Sequence, residues 1–234
     1  MEIRDHTAKA YDAELEGITS RIAQMGGLCE SMLRDAIEAL AKFDAVLAQR
    51  AITTDPRLDT LQREIEEQVV LTIARRQPMA IDLRNLMGAA RIAGDLERIG
   101  DLAKNIAKRV VKMSADPRLP RAAAGLRQMG NDALRQLNDV MDAFAVRDVA
   151  KADKVWAGDA LIDAQEDVVF RDLLTFMMED PRDISFCAHL LFCSKNIERI
   201  GDHTTNIAEN IHYIATGETL PMDRPRGEYV ENAA

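Results

Sequence analysis

Aromatic residues are scarce in this 234-residue chain: six Phe, three Tyr and one Trp, or 4 %. Sheets draw on aromatic and β-branched residues, and no segment reads as a strand, so an all-α fold is expected. Long apolar runs are also missing. None reaches the ~20 residues needed to span a bilayer, and Met1-Glu2-Ile3-Arg4-Asp5 opens no signal-peptide core. Direct membrane insertion is therefore not expected. The three cysteines, Cys29, Cys187 and Cys193, form no CxxC. An odd count without a secretion signal implies a reducing cytoplasm. Positive charge is in deficit, with Lys+Arg 30 against Asp+Glu 39 and a net charge of −9. Nucleic acid is thereby disfavoured as the main partner, because phosphate binding needs a basic face. There is no Gly-rich phosphate loop before a helix, no GxSxG and no HExxH. No nucleophile stands beside a readable base, so an enzyme is not expected.

What the chain does contain, it contains twice. Glu97-Arg98-Ile99-Gly100-Asp101 returns as Glu198-Arg199-Ile200-Gly201-Asp202, at an offset of 101. Asn105-Ile106-Ala107 returns as Asn206-Ile207-Ala208. Met25-Gly26, Asp44, Ala48, Asp55 and Asp59 return as Met129-Gly130, Asp148, Ala152, Asp159 and Asp163, at an offset of 104. The offset is 103 at Pro78 and Pro181. A period near 100 residues is too long for a solenoid repeat and implies duplication of a whole bundle.

Each half reads as three helices. The third carries Ile92, Leu96, Ile99, Ala103, Ile106 and Val110 in the first half. The second half answers with Cys193, Ile197, Ile200, Thr204, Ile207, Ile211 and Ile214. Alternating steps of four and three place one apolar seam toward a bundle core. The preceding helix carries Leu58, Leu61, Ile65, Val69 and Ile73, matched by Ile162, Val168, Val169, Leu173 and Phe176. The first helices are expected over Ile22 to Leu47 and Leu126 to Val146. Thr54-Asp55-Pro56 and Gly158-Asp159 read as helix starts. Gln77-Pro78 and Asp180-Pro181 read as breaks. The implied organisation is a first three-helix bundle over 1–113, a linker at 114–120, a second bundle over 121–216 and an irregular tail over 217–234.

The repeated carboxylates are the candidate site. Glu97/Asp101 and Glu198/Asp202 are i, i+4 pairs, and a helical wheel puts them with Asn105 on the outer face. Like charges at that spacing cost about 0.2–0.5 kcal/mol, and a mid-helix glycine about 0.8–1. Both costs recur in each half. A cation would offset the first, and close approach of a ligand or neighbouring helix would explain the second. Asp55/Asp59 and Asp159/Asp163 are further acidic pairs. Asp59 and Asp101 are equidistant from position 80, and Asp163 and Asp202 from position 182.5. Folded as hairpins at the prolines, each half would bring four carboxylates to one height. Such a set suits a hard cation. The same spacings also occur on solvated helix faces. Lys104 is placed to neutralise Asp101, and Lys195 to pair with Glu198. Asp55 and Asp159 also read as N-caps. Arg98 and Arg199 suit surface ion pairs, and their repetition suits partner contacts.

Weaker signals remain. Glu209-Asn210-Ile211-His212 has the ExxH spacing of di-metal bundles, but Lys108 and Val111 stand in its place in the first half. His189 reads as packed, and Met177-Met178 and Trp156 as core or groove residues.

Three stretches carry a resemblance. They are Ala74-Arg75-Arg76-Gln77-Pro78-Met79-Ala80-Ile81-Asp82-Leu83-Arg84, Asp95-Leu96-Glu97-Arg98-Ile99-Gly100-Asp101, and Asn196-Ile197-Glu198-Arg199-Ile200-Gly201-Asp202-His203 followed by Asn206-Ile207-Ala208-Glu209. From Tyr11 to Gly217 the chain resembles the PhoU family of phosphate-uptake regulators. The resemblance implies two side-by-side three-helix bundles and a cytoplasmic accessory protein of a phosphate ABC transporter. It implies restraint of uptake and of the associated sensor kinase when phosphate is ample. Implied partners are the transporter's ATPase subunit, the kinase's PAS region and a second copy in a homodimer. It also implies metal, including iron, at E/DxxxD motifs, which Glu97/Asp101 and Glu198/Asp202 match; Mn, Mg, Ca and Zn are the other metals considered. Arg76-Gln77 departs from the Gln-Gln that family members often carry before the proline, and Asp180-Pro181 is a second departure. Two other classes stay open. One is a ferritin-like di-metal enzyme, disfavoured by the missing second ExxH and by the outward-facing acids. The other is a metal-free helical adaptor of another phosphate transporter.

Overall fold

The computed structural model describes residues 2–116 and 121–221, with side chains from Tyr11 onward. Among the described residues there is no strand. Within them seven α-helices follow one another: α1 Glu2–Lys42, α2 Ala45–Arg76, α3 Ile81–Met113, α4 Ala123–Val146, α5 Val149–Ala157, α6 Ala160–Glu179 and α7 Ile184–Thr216. A single 3-10 turn, Pro181–Asp183, leads into α7. Helices α5 and α6 together take the place that α2 fills alone, so each half holds three helical rods. Residues 117–120 of the expected linker and 222–234 of the expected tail lie outside the described residues. No described helix is long and apolar enough to cross a membrane.

The seams behave as their spacing requires. Ile92, Leu96, Ile99, Ala103, Ile106 and Val110 are fully buried on α3. Cys193, Ile197, Ile200 and Ile207 are fully buried on α7. Burying one such side chain contributes about 1.5–3 kcal/mol. Two assignments need correction. Val168 is 52 % exposed and Met178 84 % exposed, so neither belongs to the core. Their neighbours Val169 and Leu173 fill the inward positions of α6 instead.

Helix boundaries differ from the expectation in the first half. Helix α1 stops at Lys42 rather than continuing to Leu47. Phe43 turns left-handed at φ 52°, and Arg147 repeats this at φ 55°. The next residue caps the following helix. Asp44 accepts from the Val46 and Leu47 amides, and Asp148 from the Lys151 amide. Each such cap contributes about 1 kcal/mol. The duplicated caps are thus Asp44 and Asp148, not Asp55 and Asp159. Thr54-Asp55-Pro56 starts no helix, because α2 runs straight through Pro56. Proline removes one backbone donor there, and packing of α2 on both α1 and α3 holds the helix together. In the second half the chain does break, between Ala157 and Ala160.

The two halves share one continuous core. They join where α1 meets α4 and α3 meets α7. The first joint is reciprocal. A Cβ placed on Gly26 of α1 would lie 2.5 Å from Met141 Cε on α4, and one on Gly130 of α4 would lie 2.7 Å from Ile37 Cγ1 on α1. These four positions are two pairs at the repeat offset of 104, as an antiparallel pseudo-twofold contact demands. Both large residues need a glycine opposite them.

Gly26→Val should therefore lose about 1–3 kcal/mol in urea unfolding. Its neighbour Gly27 has nothing within 4 Å of a built Cβ. Gly27→Ala should gain about 0.5–1 kcal/mol from helix propensity alone. Equal effects at the two positions would remove the close-approach explanation.

Candidate functional site: the acidic clusters and the groove between the halves

Each acidic cluster sits where a rod lies closely on the third helix of its half. Gly100 of α3 receives the fully buried Leu58 of α2. Gly201 of α7 receives Ile162 of α6, 3.0 Å from a built Cβ. Leu58 and Ile162 are again 104 apart. These contacts set both registers within about one residue of the centres inferred from the sequence, so the antiparallel rule held. A neighbouring helix accounts for both glycines.

In the first half, Asp55 is 6 % exposed and projects from inside α2 toward α3. The Lys104 ammonium donates to Asp55 Oδ2 at 2.6 Å and to Asp101 Oδ1 at 2.5 Å. Burial opposes its charge, but the hydrogen bonds to Asp101 and Asp55 outweigh it and hold its pKa above the ordinary lysine value. Glu97 and Asp101 do not face outward as the wheel implied. Their side chains are only 18 % and 31 % exposed, because α2 flanks that side of α3. Burial first, then the Asp101 charge, pushes the Glu97 carboxyl up, and Asp59 adds to the repulsion. Arg98 is exposed, with guanidinium nitrogens 3.5 Å from Glu97 and 3.8 Å from Asp101.

The second cluster is built differently. Thr205 stands where Lys104 stands in the first half, and its hydroxyl donates to the Asp202 carbonyl at 2.8 Å. Lys195 donates to Glu198 at 2.7 Å, as the spacing predicted. Glu198 Oε2 is buried without a hydrogen-bond partner. Glu166 of α6 joins this cluster although the sequence reading did not include it. Burial pushes its carboxyl up, Lys195 counters, and Glu198 and Asp163 repel it. The repeat offset gives the signal for it, since Glu166 replaces Gln62. Asp159 is buried just before α6 without capping it, Asp163 is exposed, and Asp202 is half-buried. Arg199 is exposed on α7. Among the described residues, no group of three or more His, Cys, Asp or Glu is placed to hold one metal ion.

The ExxH residues serve α5 instead. Glu209 accepts from the Trp156 indole at 3.1 Å, and His212 Nδ1 lies 2.8 Å from Asp153. His189 packs beside Arg109 at 3.2 Å. Burial and the Arg109 charge hold its pKa below the ordinary histidine value. Between α3 and α7, Asp95 meets His203 at 3.0 Å. Beside this pair opens a polar groove of about 680 Å³, lined by Arg91, Glu97, Arg98, Asn210 and Tyr213 among others. Arg91 and Arg98, seven residues apart on one face of α3, both line it.

Lys104→Met should cost about 1–3 kcal/mol, because it strands two partly buried carboxylates. A parental urea midpoint would show that solvent already screens them. The two glutamates give an opposite sign. Glu97 and Glu166 have folded pKa values above the ordinary range, so their ionisation at neutral pH opposes folding. Glu97→Gln with Glu166→Gln should raise the melting temperature at pH 7. The gain should fade as the pH falls through the folded values and vanish below the unfolded value of about 4.3, where both states become protonated. An equal gain at both ends of that range would contradict the assignment.

Comparison with known proteins agrees with this architecture. The PhoU domain family matches residues 22–110 and 126–211, one match per half. The phosphate-specific transport system accessory protein PhoU homolog of Rhizobium meliloti is 51 % identical, over 95 % of this chain and 94 % of its own length. The homolog from Caulobacter vibrioides is 48 % identical over 95 % of this chain and 96 % of its own. The crystal structure of PhoU from Pseudomonas aeruginosa superimposes with a TM-score of 0.87 at 38 % identity, covering 89 % of this chain and all of that one. These relatives are named as accessory proteins, not as enzymes. With both repeats matched, the reciprocal glycine joint in place and relatives aligned along nearly the whole chain, this protein belongs to the PhoU family.

Proposed function

We propose that this protein is a cytoplasmic accessory regulator of a phosphate-specific ABC transporter. It restrains uptake when phosphate is ample and keeps the associated sensor kinase repressing. The observation that carries this reading is the similarity to phosphate-specific transport accessory proteins along 95 % of the chain. The transporter's ATPase subunit and the kinase's PAS region are the partners proposed. Arg98 and Arg199, both exposed and at equivalent positions of the two halves, support a two-point contact. Tandem contacts raise effective affinity without a large single interface.

We further propose that any metal is taken at the second acidic cluster. There Thr205 takes the place of Lys104, Lys195 donates to Glu198 Oε1, and Glu198 Oε2 is buried without a hydrogen-bond partner. A hard cation held by so few protein oxygens at a time would keep much of its shell as water. In the first half the Lys104 ammonium already stands between Asp55 and Asp101.

Deleting the gene should derepress phosphate-starvation genes in ample phosphate. Arg98→Ala with Arg199→Ala should weaken capture of the ATPase subunit or PAS region while leaving the melting temperature unchanged, since exposed charges contribute little to stability. Normal repression in the deletion strain, with neither partner captured, would reject the regulatory reading. For the metal, Asp202→Ala should lower bound Mn²⁺ in elemental analysis and Asp101→Ala should not. Equal metal in the parent and Asp202→Ala would reject the second-half assignment.

A further inference from the structure

The duplication supplies an internal control for packing at the joint between the halves. The pseudo-twofold that exchanges Gly26 with Gly130 also exchanges Phe43 with Arg147, at the same offset of 104. Along α3 and α7 the offset is 101, so Phe186 exchanges with Asn85 and Leu190 with Ala89. At one end of the joint the Phe43 and Phe186 rings meet with centroids 5.4 Å apart. Both rings are buried, as is Leu190 one turn along α7. At the other end Arg147, Asn85 and Ala89 take their places. The backbone does not differ, because Phe43 and Arg147 share a left-handed turn, at φ 52° and 55°. What differs is side-chain volume and polarity.

The exchange leaves a cavity of about 110 Å³ between α1, α3, α4 and α7. Buried Ile18, Leu86, Ala89 and Ile211 line its floor, and exposed Ile81, Ala145 and Arg147 its mouth. Well-packed interiors hold few voids larger than a water molecule. An apolar cavity of this order stays dry and admits a ring-sized apolar molecule. From the asymmetry between the two ends we infer that the cavity binds a small aromatic carboxylate. Its ring fills the space that phenyl side chains fill at the opposite end, and its carboxylate meets Arg147. The Arg147 guanidinium makes no ion pair among the described residues, and the neighbouring Asp148 accepts from the Lys151 amide instead. A guanidinium and a carboxylate join through two parallel N–H···O bonds. The Asn85 side chain lines the same cavity and supplies a second donor. With one cation and apolar walls, a second negative charge on the ligand would be left unpaired at a high desolvation cost.

The lining draws on both halves, α1 and α3 from the first and α4 and α7 from the second. An occupant therefore spans the joint. It also stabilises the folded protein by mass action, because the cavity exists only in the folded state. The site does not depend on the regulatory reading or on the metal assignment, and it is measured on the purified protein alone.

Titration followed by ligand-observed NMR tests it, with phenylacetate as the probe and benzyl alcohol as its uncharged counterpart. Phenylacetate should bind at least ~10-fold more tightly than benzyl alcohol, since the two differ in a charge-assisted contact. Arg147→Gln should remove that advantage while leaving benzyl alcohol within ~3-fold of its parental affinity. Ala89→Leu gives position 89 the side chain of its counterpart Leu190 and should abolish binding of both probes. Asn85→Phe should do the same by restoring a ring, which keeps the test open where one of the two variants fails to fold. Circular dichroism establishes which variants are folded. A parent that binds no phenylacetate at millimolar concentrations overturns the proposal. So does a parent with equal affinity for the two probes. Parental phenylacetate affinity in Arg147→Gln, or in a folded Ala89→Leu or Asn85→Phe variant, equally overturns it.

Discussion

Leu58 seated on Gly100, and Ile162 seated on Gly201, fix the relation between the rods on which the acidic clusters depend. A side chain at either glycine would hold the helices apart. With the glycine, the rods approach closely enough for Asp55 to reach Lys104 across the helix gap. The same contact half-buries Glu97 and Asp101, which on an isolated helix would be solvated. Their electrostatics follow from that burial: a carboxyl pushed up at Glu97 and an ammonium held charged at Lys104. A hydrophobic contact thus determines the chemistry of a polar site.

The joint between the halves uses the same device. Gly26 accepts Met141, and Gly130 accepts Ile37. This contact also merges the two bundles into a single core. The groove beside Asp95 and His203 exists only because α3 and α7 then run antiparallel in contact.

Duplication has not kept the halves alike. Lys104 became Thr205, Gln62 became Glu166, and the charged outer face of α2 became apolar on α6. In the first half Lys104 bridges two acids, while the second carries one more carboxylate, Glu166, and an added apolar surface. Equivalent backbones therefore present different surfaces.

The sequence alone determined the helical class, the duplication, the α3 and α7 seams and the hairpin registers. Each rests on periodicity or offset, and an apolar face must be buried wherever it occurs. Lys195 with Glu198, and Lys104 with Asp101, were legible for the same reason, since i, i+3 neighbours meet on any helix. Only the tertiary structure decided the rest. Asp55 became a buried partner rather than a cap because α2 continues through Pro56. Glu97 turned out half-buried because a second helix covers its side of the wheel. The groove came from packing between α3 and α7, which are far apart in sequence. A single-helix pattern fixes which face is apolar. It does not fix which neighbour stands beside that face, and burial, pairing and charge at the site follow from the neighbour.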